Sequence, residues 1–249
     1  MDQFVANEVL CWYERLERNV LEFGERVPLT VENETLKAPI LASVLIDACS
    51  LLDSMFRDMT SDPVSVNGKS KARKDCNITD FAWLHSDPLD LPNTRSVMLV
   101  SPPRYRIPFE GWKSLILNQS YTSLPWWQAY TDLKHDCLSN LDKATVGLAL
   151  NALCALNQVI VRRLDMIRVV MRHGWFSSGM YDISYVLGEV NEGRLPDAFV
   201  IQTKLFAVPV GAPGGSSPAS RQFPADLKDL KPHFFQCKKE FLEFFGSTG

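Results

Sequence analysis

Thirteen residues, Pro125 to Cys137, hold the densest chemistry in this chain: "PWWQAYTDLKHDC", two tryptophans and a tyrosine followed by Lys134, His135 and Asp136. A neutral imidazole takes a proton from a hydroxyl near pH 7, and an ammonium beside it stabilises charge developing on a phosphate. Those are the requirements for cutting RNA through its 2′-hydroxyl, with Thr131, one turn earlier, placed to orient the ring. The plainer alternative is an interface histidine satisfied by Thr131 on a helix whose aromatics are core. Both readings stand on the residues alone.

The helix that must position these groups begins at Pro125, a good first-turn residue, and is read as running to about Leu138. At about 100° per residue, Trp126, Tyr130, Leu133 and Cys137 fall on one stripe, which is expected to be core. Lys134, Trp127, Leu138, Thr131 and His135 fan out from it, with Asp132 and Asp136 toward solvent. A tight corner at 140–143 then leads into the longest helix expected, about Lys143 to Arg172, packed antiparallel on the first. Gly147, Asn151, Cys154, Gln158, Arg162 and Asp165 form a small and polar stripe on that helix. It faces either a groove near His135 or a second subunit, or it is the edge of a partly covered helix.

The layout of "WWQAYTDLKHD", a corner and "ATVGLALNALCALNQVI" resembles the HEPN superfamily of helical bundles, particularly bacterial members with a motif of the form Asn-x-x-Lys-His-x-Arg. The resemblance covers 125–172 and implies a HEPN-like bundle. It also implies a homodimer in which paired motifs make a metal-independent ribonuclease site, often in toxin–antitoxin or anti-phage defence systems. An antitoxin or defence partner protein, RNA as ligand, and no metal or cofactor go with it. Lys134 and His135 match the Lys-His core and would be catalytic together with Thr131. Thr131 stands where the motif has Asn, Cys137 stands where it has Arg, and no arginine lies four to six residues before His135. An arginine would hold the scissile phosphate bidentately and cysteine cannot. Arg57 is a candidate replacement, or else the partner of Asp53 one turn away. Trp127, Asn151, Gln158, Arg162 and Arg57 are the expected RNA-binding or interface residues. The second reading is a non-catalytic relative that serves as an interaction or assembly module.

Around this motif, residues 2–24 repeat Val5, Val9, Trp12, Tyr13, Leu16, Val20 and Phe23 as an amphipathic helix ending at Gly24. Residues 39–59 are apolar nearly all round, as in a buried helix. The stretch 60–77, with Asn-Gly and four basic residues, reads as a mobile, solvated loop in preference to a phosphate-gripping one. "ITDFAWLH" is a short helix begun by Asn77 or Thr79. "SVMLV" and "YRIPF" are short strands around a proline turn, and "AFVIQTKLFAVPV" is a strand able to pair with them. "YDISYVLGEVNEG" reads as helical, 211–224 as a flexible linker, and the Phe-rich end as a terminal helix. The expected fold is mainly α, a bundle over 1–174 with 60–124 inserted, and an extension over 175–249. His85 with Asp87 and Asp90 is taken as a solvated turn in preference to a metal site.

With 46% hydrophobic residues in 249, the chain can bury a large core, and its net charge of -3 supplies no global attraction for nucleic acid. Six cysteines without a C-x-x-C pair suit a reducing cytoplasm, and the opening lacks the pattern of a secretory signal. Residues 144–161 are about as long as a minimal membrane span, but Asn151, Asn157 and Gln158 argue for a core helix, so no membrane is expected.

Overall fold

The computed structural model describes residues 1–118, 120–177, 188, 191–192 and 199–210. The chain is mainly α with small sheets. Helix α1, Gln3–Gly24, starts where the Asp2 carboxylate accepts the Phe4 amide at 3.0 Å. It buries Val9, Leu10, Tyr13, Leu16 and Val20, whereas Val5 and Trp12, expected on the same face, are 45% and 40% exposed. Helix α2, Pro39–Met59, has proline in its first turn and packs against α1. Among the described helices α2 is long and apolar enough to cross a membrane, but Leu45, Ala48, Cys49, Leu52 and Phe56 are fully buried and α1 and two later helices cover it, as befits a core helix.

The segment after α2 is structured where a loop was expected. Strands β1, Val64–Val66, and β2, Lys69–Lys71, pair antiparallel with Val66 opposite Lys69. Asn67 and Gly68 between them both take positive φ, 50° and 75°, the requirement of a two-residue type I′ turn. Three-residue strands carry too little alternation to be read against a basic background, although the Asn-Gly pair is itself the hairpin signal. Helix α3, Ile78–His85, follows with a capping box in which Asn77 Oδ1 accepts the Thr79 and Asp80 amides and Asp80 accepts the Asn77 amide. A short helix α4, Lys113–Asn118, precedes α5, Pro125–His135, and α5 also packs on α2.

Two helix ends differ from the sequence reading for local reasons. α5 stops at His135, three residues early, because Asn140 Nδ2 donates to the carbonyls of Asp132 and Asp136 and the Asp136 carboxylate accepts the Ser139 amide. Side chains satisfying backbone groups this way compete with further helical turns. Cys137 therefore leaves the core stripe and is exposed, as is Leu138 at 84%. The long helix is α6, Val146–Arg162, and it breaks at Arg163, whose backbone is extended (φ -90°, ψ 120°). Arg163 Nε and Nη2 reach the Asp165 carboxylate at 3.0 and 2.5 Å, a pairing two residues apart that no straight helix permits. A helix α7, Ile167–Arg172, then resumes.

The described chain divides into two compact units, 1–93 with 107–159 and 94–106 with the described residues from 160 on. In the first unit the amides of Val146 and Gly147 donate to the carbonyls of Leu36 and Glu34, seating the start of α6 on the segment before α2. A Cβ on Gly147 would lie 3.3 Å from the Glu34 carbonyl oxygen, so the close approach itself calls for glycine. The second unit holds an antiparallel five-stranded sheet ordered β4-β3-β7-β6-β5. Its strands are β3, Ser96–Met98, β4, Arg104–Arg106, β5, Phe176–Ser177, β6, Phe199–Gln202, and β7, Phe206–Val210. The two strands around the proline turn pair with each other, and the single later strand expected to join them is a hairpin, β6–β7, joined to β3 through β7. Of the helix read over 181–193 only 188 and 191–192 are described, with 188 and 191 helical, and the linker at 211–224 and the terminal helix lie outside the described residues.

Candidate functional site

The aromatic pair that opens α5 belongs to a continuous cluster in the first unit. Phe56 is at its centre, with Phe81 and His85 stacked at 5.5 Å and Phe109 and Trp112 at 6.5 and 6.2 Å. Phe109 meets Trp126 edge-on, Trp126 meets Trp127, and Trp127 meets Tyr130. Trp126 Nε1 donates to the Pro108 carbonyl at 2.8 Å, which satisfies the one polar atom of a buried indole. Trp126 and Trp127 are 1% and 8% exposed, so neither offers a face on which a base could stack. His85 is buried in this cluster and 3.0 Å from Thr60 Oγ1, which corrects its placement in a solvated turn.

Past the cluster, α5 delivers its last turn to the surface. Lys134 and His135 are exposed, and the Lys134 ammonium lies 5.5 Å from the Tyr130 ring centroid, a cation–π contact. Thr131 does not orient the imidazole: its hydroxyl donates to the Trp127 carbonyl four residues back at 3.0 Å. That correction covers both sequence readings, because each gave Thr131 to His135. The nearest acceptor of a helical threonine is its own preceding turn.

The surrounding carboxylates brace the corner. Asp132 accepts Lys143 Nζ at 2.5 Å and Gln128 Nε2 at 3.0 Å, and these bonds, Lys143 first, hold its carboxyl below the usual range. The Ser139 hydroxyl, and then its amide, do the same for Asp136. Carboxyls with depressed values add stability above the unfolded value of about 3.9 and lose it as pH falls through the folded value. The corner at 136–140 should hold unchanged from pH 8 to 5 and open below about pH 4, seen as faster exchange of the Ser139 amide. Protection of that amide at pH 3 equal to that at pH 6, after correction for intrinsic exchange, would show that the carboxylates do not hold it.

Arg57 is committed elsewhere. Its Nε and Nη2 donate to Asp53 at 2.7 and 3.3 Å, Nη1 donates to the carbonyls of Arg73 and Lys74, and Nη2 donates also to the Cys76 carbonyl. Its guanidinium carbon lies 5.3 Å from the Phe81 ring centroid. The Asp53 pairing was legible from the four-residue spacing. The three carbonyls were not, since they come from a loop sixteen to nineteen residues on. Arg57 is the clamp that ties the end of the β1–β2 hairpin to α2.

The stripe expected on α6 is largely interior. Gln158 and Arg162 are buried, Asn151 is half-buried, and Asp165 lies beyond the helix. Gln158 Nε2 is 4.0 Å from Cys154 Sγ, and Arg162 Nη2 donates to the Pro209 carbonyl at 3.2 Å. Buried in this way, the stripe is neither an open groove nor a solvent edge. Asn157 beside it is buried with neither amide atom bonded among the described residues.

Five described cysteines are free thiols, and among the described residues no group of three His, Cys, Asp or Glu side chains is arranged to hold a metal. What these elements define is a mainly α protein with an aromatic core and an exposed lysine–histidine corner. No family model, curated protein or solved structure matches this chain.

Proposed function

We propose that this chain is a non-catalytic HEPN-like helical module that works by assembly, as a homodimer or with a partner protein, and does not cut RNA. One observation carries the reading: although Lys134 and His135 are exposed, the other groups that a ribonuclease would recruit around them are spent or replaced. The Thr131 hydroxyl belongs to the Trp127 carbonyl, Cys137 stands outside the helix in place of arginine, and Arg57 serves Asp53 and three carbonyls. With no orienting partner and no phosphate clamp among the described residues, the imidazole lacks the fixed geometry that general acid–base catalysis requires. A cytoplasmic location, and an antitoxin or defence-system protein as the partner, accompany this reading.

The ribonuclease reading keeps one supporting observation, the exposure of Lys134 and His135 to any polyanion in solution. The two are separated by incubating the purified chain with single-stranded and hairpin RNAs. The expected result is intact RNA, with His135→Ala indistinguishable from wild type. RNA cleavage by wild type that disappears in His135→Ala would establish the enzyme. Light scattering on the same sample is expected to give a mass above one copy, and a strict monomer with no co-purifying chain would sink the assembly reading.

A further inference from the structure

We propose that the outward stripe of α1 is the homodimer face of this chain, with two copies of the helix packed antiparallel about a twofold axis at Trp12. The inference rests on the assembly reading above and names both the partner, a second copy, and the surface that meets it.

Val5, Glu8, Trp12, Arg15, Asn19 and Glu22 follow one another at alternating three- and four-residue steps. They therefore form one stripe along α1, about 120° round from the buried stripe of Val9, Tyr13, Leu16 and Val20. Asn19 is half-buried and the other five are exposed, with Phe4 on the flank of the same stripe at 71%. Scattered apolar residues at a surface need no account, but Phe4, Val5 and Trp12 are concentrated on one half of one helix. Tryptophan is also among the residue types that carry most interface energy. Here the indole is held by its own chain, with the Arg15 guanidinium carbon 5.6 Å from the ring centroid.

Charge selects the occupant. Glu8 stands about one turn before Trp12 and Arg15 about one turn after it, and both remain open to a partner. Glu8 makes no hydrogen bond or ion pair among the described residues. Arg15 gives one nitrogen to Asp47 at 3.5 Å, a pair whose side chains are 58% and 37% exposed, and the rest of its five-donor fork is unspent. About a twofold axis at Trp12, each residue some places before Trp12 faces the one as many places after it in the other copy. Trp12 then meets the partner's Trp12, and Val5 meets the partner's Asn19. Glu8 comes within one residue, about 1.5 Å along the axis, of the partner's Arg15, and the symmetry makes that pair twice. A parallel pairing would set Glu8 on Glu8 and Arg15 on Arg15, so like charges oppose it. A stripe that is its own complement under this rotation fits a copy of itself better than a uniformly acidic or basic partner, which would meet one of the two charges unfavourably. Cys11 is exposed on the same flank as Phe4, and the rotation puts the two Cys11 side chains on one side of the dimer at about the interhelical spacing, roughly 8–10 Å.

The test is sedimentation velocity of the full chain over a dilution series, which is expected to show a concentration-dependent dimer. Glu8→Arg alone and Arg15→Glu alone should each weaken self-association at least about tenfold, because each turns two attractions into two repulsions. The double variant, Glu8→Arg with Arg15→Glu, should recover most of the loss. The two positions are seven residues apart and do not meet within one helix, so recovery reports on contact between copies and not on folding. In a Cys137→Ser, Cys237→Ser background, a short bismaleimide should join two copies through Cys11, and Cys11→Ser should abolish the product. A dimer indifferent to both single swaps and not linked through Cys11 would overturn this face and leave the assembly reading standing, as would a monomer that co-purifies with another protein. A chain that stays monomeric and alone at every concentration would remove both.

Discussion

Arg57→Ala is expected to lower the stability of the first unit by about 2–3 kcal/mol and to release the hairpin before the rest of that unit opens. The guanidinium donates to one carboxylate and three carbonyls, and alanine leaves all of them without their donor. The figure is held below the sum of those bonds because the arginine side chain is 32% exposed and water reaches part of the site. Arg57→Lys should recover less than half the loss, since one ammonium cannot address four acceptors spread over a planar fork. Hydrogen exchange gives the sharper reading. Amides in 64–76 should lose protection in Arg57→Ala while α1 and the middle of α2 keep theirs. If the hairpin amides exchange as in wild type, the clamp is not what fixes the segment.

How much could be read beforehand follows from the range over which each determinant acts. α1 and α2 were legible to within a residue because a cap, a first-turn proline and an apolar period all lie inside the helix or next to it. α3 was legible for the same reason, with Asn77 one of the two starts its sequence offers and the one the helix uses. The end of α5 was not, because Asn140 bonds back to Asp132 and Asp136, and a side chain beyond the helix has no periodic signature. The break at Arg163 was hidden likewise, since an arginine and an aspartate two apart look like any solvated pair until the backbone between them bends. For the site, the spacing puts His135 at the margin of the core stripe, neither buried nor fully outward, whereas it is exposed at the helix end. What sequence could not supply was occupancy: whether Thr131 and Arg57 were available depended on acceptors that only the folded chain brings near.

Phe56→Ala should have the largest effect of any single substitution discussed, about 3–5 kcal/mol, the range for deleting a fully buried ring. Phe56 is 0% exposed and touches Phe81, His85, Phe109 and Trp112, so its removal leaves a cavity bordered by four aromatic groups that cannot all collapse into it. Its carbonyl also accepts the Thr60 hydroxyl that contacts His85, so the cluster and the end of α2 should loosen together. Phe56→Leu keeps most of the volume and is expected to cost roughly half as much or less. Denaturant unfolding followed by tryptophan fluorescence checks both, because Trp112, Trp126 and Trp127 all report on this core. A midpoint within about 0.5 kcal/mol of wild type, a typical surface-substitution effect, would mean the cluster is not the keystone of the first unit. The expected outcome carries a functional consequence. Lys134 and His135 directly follow Leu133 and lie about one turn beyond Tyr130, so their position is set by how α5 seats Trp126 against Phe109, and through Phe109 against Phe56. Any activity assigned to that corner should therefore fall in Phe56→Ala in proportion to the unfolded fraction and should remain in Phe56→Leu. An activity lost equally in both would be coupled to the core by something other than stability.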